Sequence, residues 1–223
     1  MITATRKPFA EIAAMLEPFD RVLVLGCGTC VTVCMAGGEK EVGILASTLR
    51  LADREKGRAR EVIEATIERQ CDREFFDAVR EKIEAADAVL SMACGVGAQF
   101  AGEVFPSAVV LPGLDTKFYG ATLEQGVWSE RCSGCGTCVI GDFGGVCPVT
   151  RCSKGLLNGP CGGSQESQCE VDSGRPCAWQ LIYARLKAIG QLDRLEEIIP
   201  PKDWSSAWYG GARKVVRKEH QIL

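Results

Sequence analysis

The chain has 223 residues, a formal net charge of −3, 46% hydrophobic and 25% charged residues, the make-up of a globule of one large or two small domains. The slight acidic balance gives no electrostatic support to a nucleic-acid or anionic-membrane role, and every apolar stretch falls far short of the ~20 residues that cross a bilayer. No apolar run follows basic residues near the start, so no signal peptide is expected and the cytosol is the expected compartment, where disulfides are rare.

Thirteen cysteines accompany a single histidine, His220. In a reducing compartment thiols serve as ligands, as reactive groups or as buried hydrophobes, and the odd count argues against a complete disulfide framework. One histidine leaves almost no material for mixed cysteine–histidine zinc sites or for histidine-based acid–base catalysis.

In chain order, residues 8–17 place Phe9, Ile12 and Leu16 on one helical face, with Pro8 suited to the first turn. Residues 21–25 (RVLVL) read as a short buried strand that runs into Gly26-Cys27-Gly28-Thr29-Cys30, and residues 31–35 turn into a helix. Residues 39–56 form a second helix with Val42, Leu45, Leu49 and Ala52 at helical spacing and Gly57 as its stop. Residues 61–69 are strand-like and end at Gln70-Cys71; residues 73–84 are helical, with Phe76, Val79 and Ile83 on one face. Residues 88–93 (AVLSMA) form a buried strand ending at Cys94-Gly95, followed by a short helix at 97–103 and a strand at 108–111.

Strands alternating with helices predict a small doubly wound, Rossmann-like α/β domain, spanning residues 1–125. In such sheets ligands bind outside the C-terminal ends of the strands. Cys27, Cys71 and Cys94 each fall at such an end, and Cys30 and Cys34 lie one helical turn apart beside the first of them. Five cysteines distant in sequence are therefore expected at one edge. Two other readings of this region stand: a phosphate loop at Gly26-Cys27-Gly28, which lacks its third glycine because Val31 holds that place, and a redox pair of Cys27 and Cys30.

Residues 114–131 (LDTKFYGATLEQGVWSER) read as a linker-like passage. A cysteine-rich, loop-dominated domain over residues 126–200 follows, carrying Cys132, Cys135, Cys138, Cys147, Cys152, Cys161, Cys169 and Cys177. Gly, Ser, Asp and Pro fill the gaps, so the segment cannot build a hydrophobic core of its own, and thiolate-bound inorganic centres are the expected support. Cys132-x-x-Cys135-x-x-Cys138 is a [4Fe–4S] spacing. Cys147-Pro148 stands further away than the ferredoxin pattern requires, which leaves Cys147 and Cys177 as alternative completions. Four-cysteine zinc sites are the rival use of the same thiols. A closing helix after Cys177 carries Trp179, Ile182, Leu186 and Ile189. The tail, residues 201–223, holds Trp204, Trp208, Tyr209, Arg213, Lys214, Arg217 and Lys218, and reads either as an interface anchor or as a segment folded back on its own domain.

The chain resembles the small iron–sulfur subunit (MetV type) of two-subunit methylenetetrahydrofolate reductases, a module also known as a methylenetetrahydrofolate reductase C-terminal domain. The resemblance runs through Leu25-Gly26-Cys27-Gly28-Thr29-Cys30, Glu68-Arg69-Gln70-Cys71, Ala93-Cys94-Gly95-Val96-Gly97, Glu124-Gln125-Gly126-Val127-Trp128 and Glu130-Arg131-Cys132. It continues through Gly145-Val146-Cys147-Pro148-Val149-Thr150-Arg151-Cys152. Its most specific string is Lys154-Gly155-Leu156-Leu157-Asn158-Gly159-Pro160-Cys161-Gly162-Gly163.

The resemblance implies a heteromeric complex of one-carbon metabolism, of the Wood–Ljungdahl kind. In it a MetF-type flavoprotein reduces 5,10-methylenetetrahydrofolate to 5-methyltetrahydrofolate. The small subunit is a non-catalytic relay whose [4Fe–4S] clusters, two or three, bring electrons from ferredoxin or from an electron-bifurcating or heterodisulfide-reductase-like assembly. No flavin is expected in this chain, and zinc at one site is an alternative. Of the N-terminal group Cys27, Cys30, Cys71 and Cys94 are the expected ligands, with Cys34, deepest in its helix, left over. The expected C-terminal pairing sets Cys132, Cys135 and Cys138 with Cys177, and Cys147, Cys152 and Cys161 with Cys169. The rival functions are a zinc-stabilised interaction module and a thiol–disulfide reductase using Cys27 and Cys30.

Overall fold

The structure is a computed structural model in which residues 1–207 and 211–221 are described. Trp208 and Tyr209, read as interface anchors or as part of a tail folded back on its own domain, lie outside the described residues. The chain divides into two compact units, Met1–Ser129 and Glu130–Leu223.

The first unit is built on a parallel sheet. Strands β2 (Arg21–Cys27), β3 (Glu61–Ile67), β4 (Ala88–Ser91) and β5 (Val110–Pro112) lie in the order β3-β2-β4-β5. Strand β2 is central because its residues are apolar on both sides. Val22 and Val24 face Ile12 and Leu16 around α1 (Phe9–Met15), and Val42, Leu45 and Leu49 of α3 (Glu39–Glu55). Leu23 and Leu25 face the opposite way, onto Phe76, Val79 and Ile83 and onto Ala101 of α5 (Gly95–Val104). Each fully buried Val, Leu, Ile or Phe among them contributes about 1.5–3 kcal/mol. Helices on both faces of a parallel sheet make this the doubly wound α/β domain expected from the sequence.

Details depart from expectation. Residues 73–84 are not one α-helix: a 3₁₀ stretch, Arg73–Val79, precedes α4 (Arg80–Glu84). The helix after β2 shrinks to the single turn of α2 (Cys30–Val33).

The passage from 114 to 131 is a strand pair rather than a linker. Strand β6 (Leu114–Glu124) runs antiparallel to β1 (Ile2–Arg6), a strand not expected from the sequence, and β7 (Val127–Cys132) completes a sheet of order β1-β6-β7. Between β6 and β7 the turn contains Gly126 at φ 87°, a left-handed conformation that glycine adopts without a Cβ penalty.

The second unit has little regular structure: α6 (Pro148–Arg151), α7 (Ala178–Ala188) and short 3₁₀ turns. Its apolar core is small, with Trp179, Ile182 and Leu186 of α7 against Phe143, and the Phe143 and Trp179 rings meet edge to face at 5.8 Å. Ile189, expected on the same face, lies past the helix and is exposed. Among the described residues of both units, no helix is long and apolar enough to cross a membrane.

Candidate functional site

In the first unit the parallel sheet delivers thiols to one edge. Cys27 is the last residue of β2, within the strand rather than past it, and pairs with Ile67 of β3. Its Sγ lies 3.8 Å from both Thr29 Oγ1 and the Glu68 carbonyl. Cys71 follows β3 and is exposed, and Cys94 caps the N-terminus of α5. Although the residue is exposed, desolvation by the protein around its sulfur pushes the Cys71 thiol above its ordinary range, and Cys27 and then Cys94 act in the same direction. Cys30, half-buried, opens α2 three residues beyond Cys27.

Cys34 is different. Its Sγ points into the core, 3.6 Å from the Ala4 carbonyl and 3.7 Å from that of Val31. Burial raises this thiol. It packs as a small hydrophobe among Val31, Ala36 and Val42.

A residue absent from the expected site holds this edge together. Gln70, with no exposed surface, donates its amide to the carbonyls of Leu25 (2.7 Å) and Gly26 (3.1 Å). It accepts from the Ser91 hydroxyl at 2.7 Å, and the Ser91 oxygen accepts the Ala93 amide at 3.3 Å. One buried network thus joins the residues preceding Cys27, Cys71 and Cys94. Helix α5 presses onto it at Gly97, where a Cβ would come within 2.8 Å of Gln70 Cβ and 2.7 Å of Ala93 Cβ. The available signal was a polar residue in an apolar strand, Ser91 within AVLSMA.

In the second unit Cys152, Cys161, Cys169 and Cys177 line one small cavity together with Ser164, Ala178 and Trp179. Local backbone bonds bring the last two together: the Cys169 amide donates to Arg175 O at 2.8 Å and the Cys177 amide to Ser167 O at 2.8 Å. The Ser153 hydroxyl, 3.5 Å from Cys169 Sγ, holds that thiol below its ordinary range. Lys154 and Glu170 form an ion pair at the cavity's edge.

The other four thiols fall elsewhere. Cys132 ends β7, and the Gly134 amide lies 3.4 Å from its sulfur. Cys135 and Cys138 follow in a loop that turns through Gly134 and Gly136, both at positive φ. Cys147 caps α6, and its Sγ lies 3.6 Å from Thr150 Oγ1, which reaches Ser133 Oγ at 3.4 Å. Thr150 thus ties Cys147 to the Cys132 loop. The cavity sets Cys177 beside Cys152, Cys161 and Cys169, and Thr150 links Cys147 to the loop that follows Cys132.

All thirteen cysteines are free thiols. Among the described residues no three His, Cys, Asp or Glu side chains are disposed to hold a single metal ion.

The molecule is thus an α/β unit with thiols at its sheet edge, followed by a thiol-lined, loop-rich unit. Residues 111–205 match the family model described as methylene-tetrahydrofolate reductase C terminal. That segment is similar to the methylenetetrahydrofolate reductase family; it holds all eight C-terminal cysteines and less than half of the chain. No curated protein and no solved structure matches the chain.

Proposed function

We propose that the chain is the electron-transfer subunit of a methylenetetrahydrofolate reductase complex. It would carry [4Fe–4S] clusters on three four-thiol groups: Cys27, Cys30, Cys71 and Cys94; Cys132, Cys135, Cys138 and Cys147; and Cys152, Cys161, Cys169 and Cys177. The observation that carries the reading is the single cavity lined by Cys152, Cys161, Cys169 and Cys177, four residues spread over the segment that matches the reductase family.

The donor set fits such a group. It is all sulfur, with no imidazole among it, and soft thiolates suit iron–sulfur centres and zinc alike. A mononuclear zinc at ~2.3 Å from each sulfur would draw four thiols tightly around one point. When bound, iron–sulfur centres carry single electrons.

The chain's own residues position and shelter the thiols. Gln70 and Ser91 fix the sheet-edge group. Trp179, nearly buried, walls off the cavity of the third group while its indole N–H is satisfied by the Leu156 carbonyl at 3.2 Å. The electrons would pass to the flavin of a MetF-type partner, which collects two for hydride transfer to 5,10-methylenetetrahydrofolate. Ferredoxin or an electron-bifurcating or heterodisulfide-reductase-like assembly would supply them.

Anaerobic purification followed by a visible spectrum tests this. A brown protein with a broad band near ~400 nm that dithionite bleaches is the expected result for [4Fe–4S] centres. A colourless protein with no dithionite response would contradict it.

A further inference from the structure

The stretch after the closing helix folds back over the loop that carries Cys132, Cys135 and Cys138. Lys202 is buried, and its ammonium donates to the carbonyl of Cys135 and to that of Asp203, each at 3.2 Å. It also lies 5.1 Å from the centre of the Trp204 ring. Ser206 Oγ accepts the Thr137 amide at 3.1 Å and lies 3.2 Å from the Thr137 hydroxyl. Arg213 donates to the carbonyls of Gly134, at 3.3 Å, and Ser206. The loop is shaped for this cover: a Cβ on Gly136 would fall 2.1 Å from Ser206 Oγ.

The Asp203 carboxylate, held below its ordinary range chiefly by its hydrogen bonds to Ser205, also feels the Lys202 charge but does not reach it. Asp203 turns its side chain to the Ser205 amide at 2.8 Å, and among the described residues no acidic oxygen lies within ion-pair distance of Lys202. Burying a charge is costly, and Lys202 meets that cost with two carbonyls, an aromatic face and the more distant Asp203 charge rather than a direct ion pair. The loop to which Lys202 is tied carries the thiols of Cys132, Cys135 and Cys138.

We infer that Lys202 is the counter-cation of the metal centre held by the Cys132 loop, and that it sets that centre's reduction potential. The inference rests on the iron–sulfur reading above. A cluster with four thiolates is an anion that gains one more negative charge on reduction. A fixed cation a few ångströms from the ligand backbone therefore stabilises the reduced state more than the oxidised one. Arg213, exposed and screened by water, adds to this more weakly.

The test is a redox titration of the anaerobically purified full chain, following each resolved centre by electron paramagnetic resonance, with C132S identifying the signal that belongs to this loop. In K202M that centre should be at least about tenfold harder to reduce, a fall of about 59 mV for a one-electron couple. The other centres should be unmoved. K202R should stay close to wild type, and G136A, which unseats the strap, should shift the same centre in the direction of K202M. A K202M protein with full iron content and an unchanged potential would overturn the assignment and leave the relay intact. If K202M loses the centre, K202R decides: retained iron at a near-wild-type potential upholds a requirement for charge, and loss of iron in K202R as well refutes it. Wild-type protein without iron in this loop would remove the relay reading itself, and the inference with it.

Discussion

The Ser91 hydroxyl donates to Gln70 Oε1 across 2.7 Å in the interior of the α/β unit, and neither residue has exposed surface. The pair joins β4 to the loop after β3, and the Gln70 amide group carries the link on to β2. Gln70→Leu leaves the Leu25 and Gly26 carbonyls without this donor and the Ser91 hydroxyl without its acceptor. We expect a loss of about 2–3 kcal/mol, read from denaturant unfolding of the metal-free protein, with Ser91→Ala costing about 1–2 kcal/mol. In protein purified anaerobically, Gln70→Leu should also lower iron occupancy while Ser91→Ala does so less.

Cys34 and Cys94 should behave in opposite ways. Cys34→Ala removes a buried sulfur from the core beside Val31, so about 1 kcal/mol of stability goes and the iron content stays. Cys94→Ser, at the sheet edge, should lose one centre's iron with little change in the unfolding of the metal-free chain. Equal iron content in the two variants would remove Cys94 from the first group.

The grouping of the C-terminal thiols predicts a pattern of non-additivity. Cys152→Ser combined with Cys177→Ser should lose no more iron than either alone, because both thiols serve one centre. Cys132→Ser combined with Cys177→Ser should lose two centres. Iron analysis of the four proteins separates this grouping from one that sets Cys177 with the Cys132 loop.

Thiol titration in the metal-free chain should run in opposite directions at Cys169 and Cys71. Ser153 holds the Cys169 thiol below its ordinary range, so the folded second unit binds fewer protons there than the unfolded chain. That contribution is present above the ordinary thiol pKa and fades as pH falls through the lowered one. Burial and the neighbouring Cys27 and Cys94 raise Cys71, so its contribution is complete below the ordinary value and is lost as pH rises through the raised one. Alkylation followed by mass spectrometry across pH should find Cys169 reacting at lower pH than Cys71. Ser153→Ala should move Cys169 upward and leave Cys71 where it was.

The α/β unit was legible because its signals are local. The apolar run RVLVL, the helical spacing of Val42, Leu45 and Leu49, and Gly57 at φ 67° after α3 each announce themselves within a few residues. Strand β1 was not legible, because its partner is far away: Ile2 pairs with Tyr119, and the register slips between Thr3 and Ala4. The hairpin turn uses Gln125-Gly126 instead of the stronger Asn-Gly signal. Cysteine positions were visible, but their grouping was not. Cys177 reaches the cavity because residues 167 to 177 close on themselves through the Gln168 and Pro176 bridge, a contact that spacing does not encode. Lys202 gave no sign in sequence, since only its burial beside Cys135 distinguishes it from other tail cations.

The most direct test of the relay is a count of iron, acid-labile sulfide and zinc in the anaerobically purified chain. Three filled four-thiol groups predict iron and sulfide in equal amounts, at about twelve of each per chain, with zinc well below one. Stoichiometric zinc with neither iron nor sulfide would contradict the account.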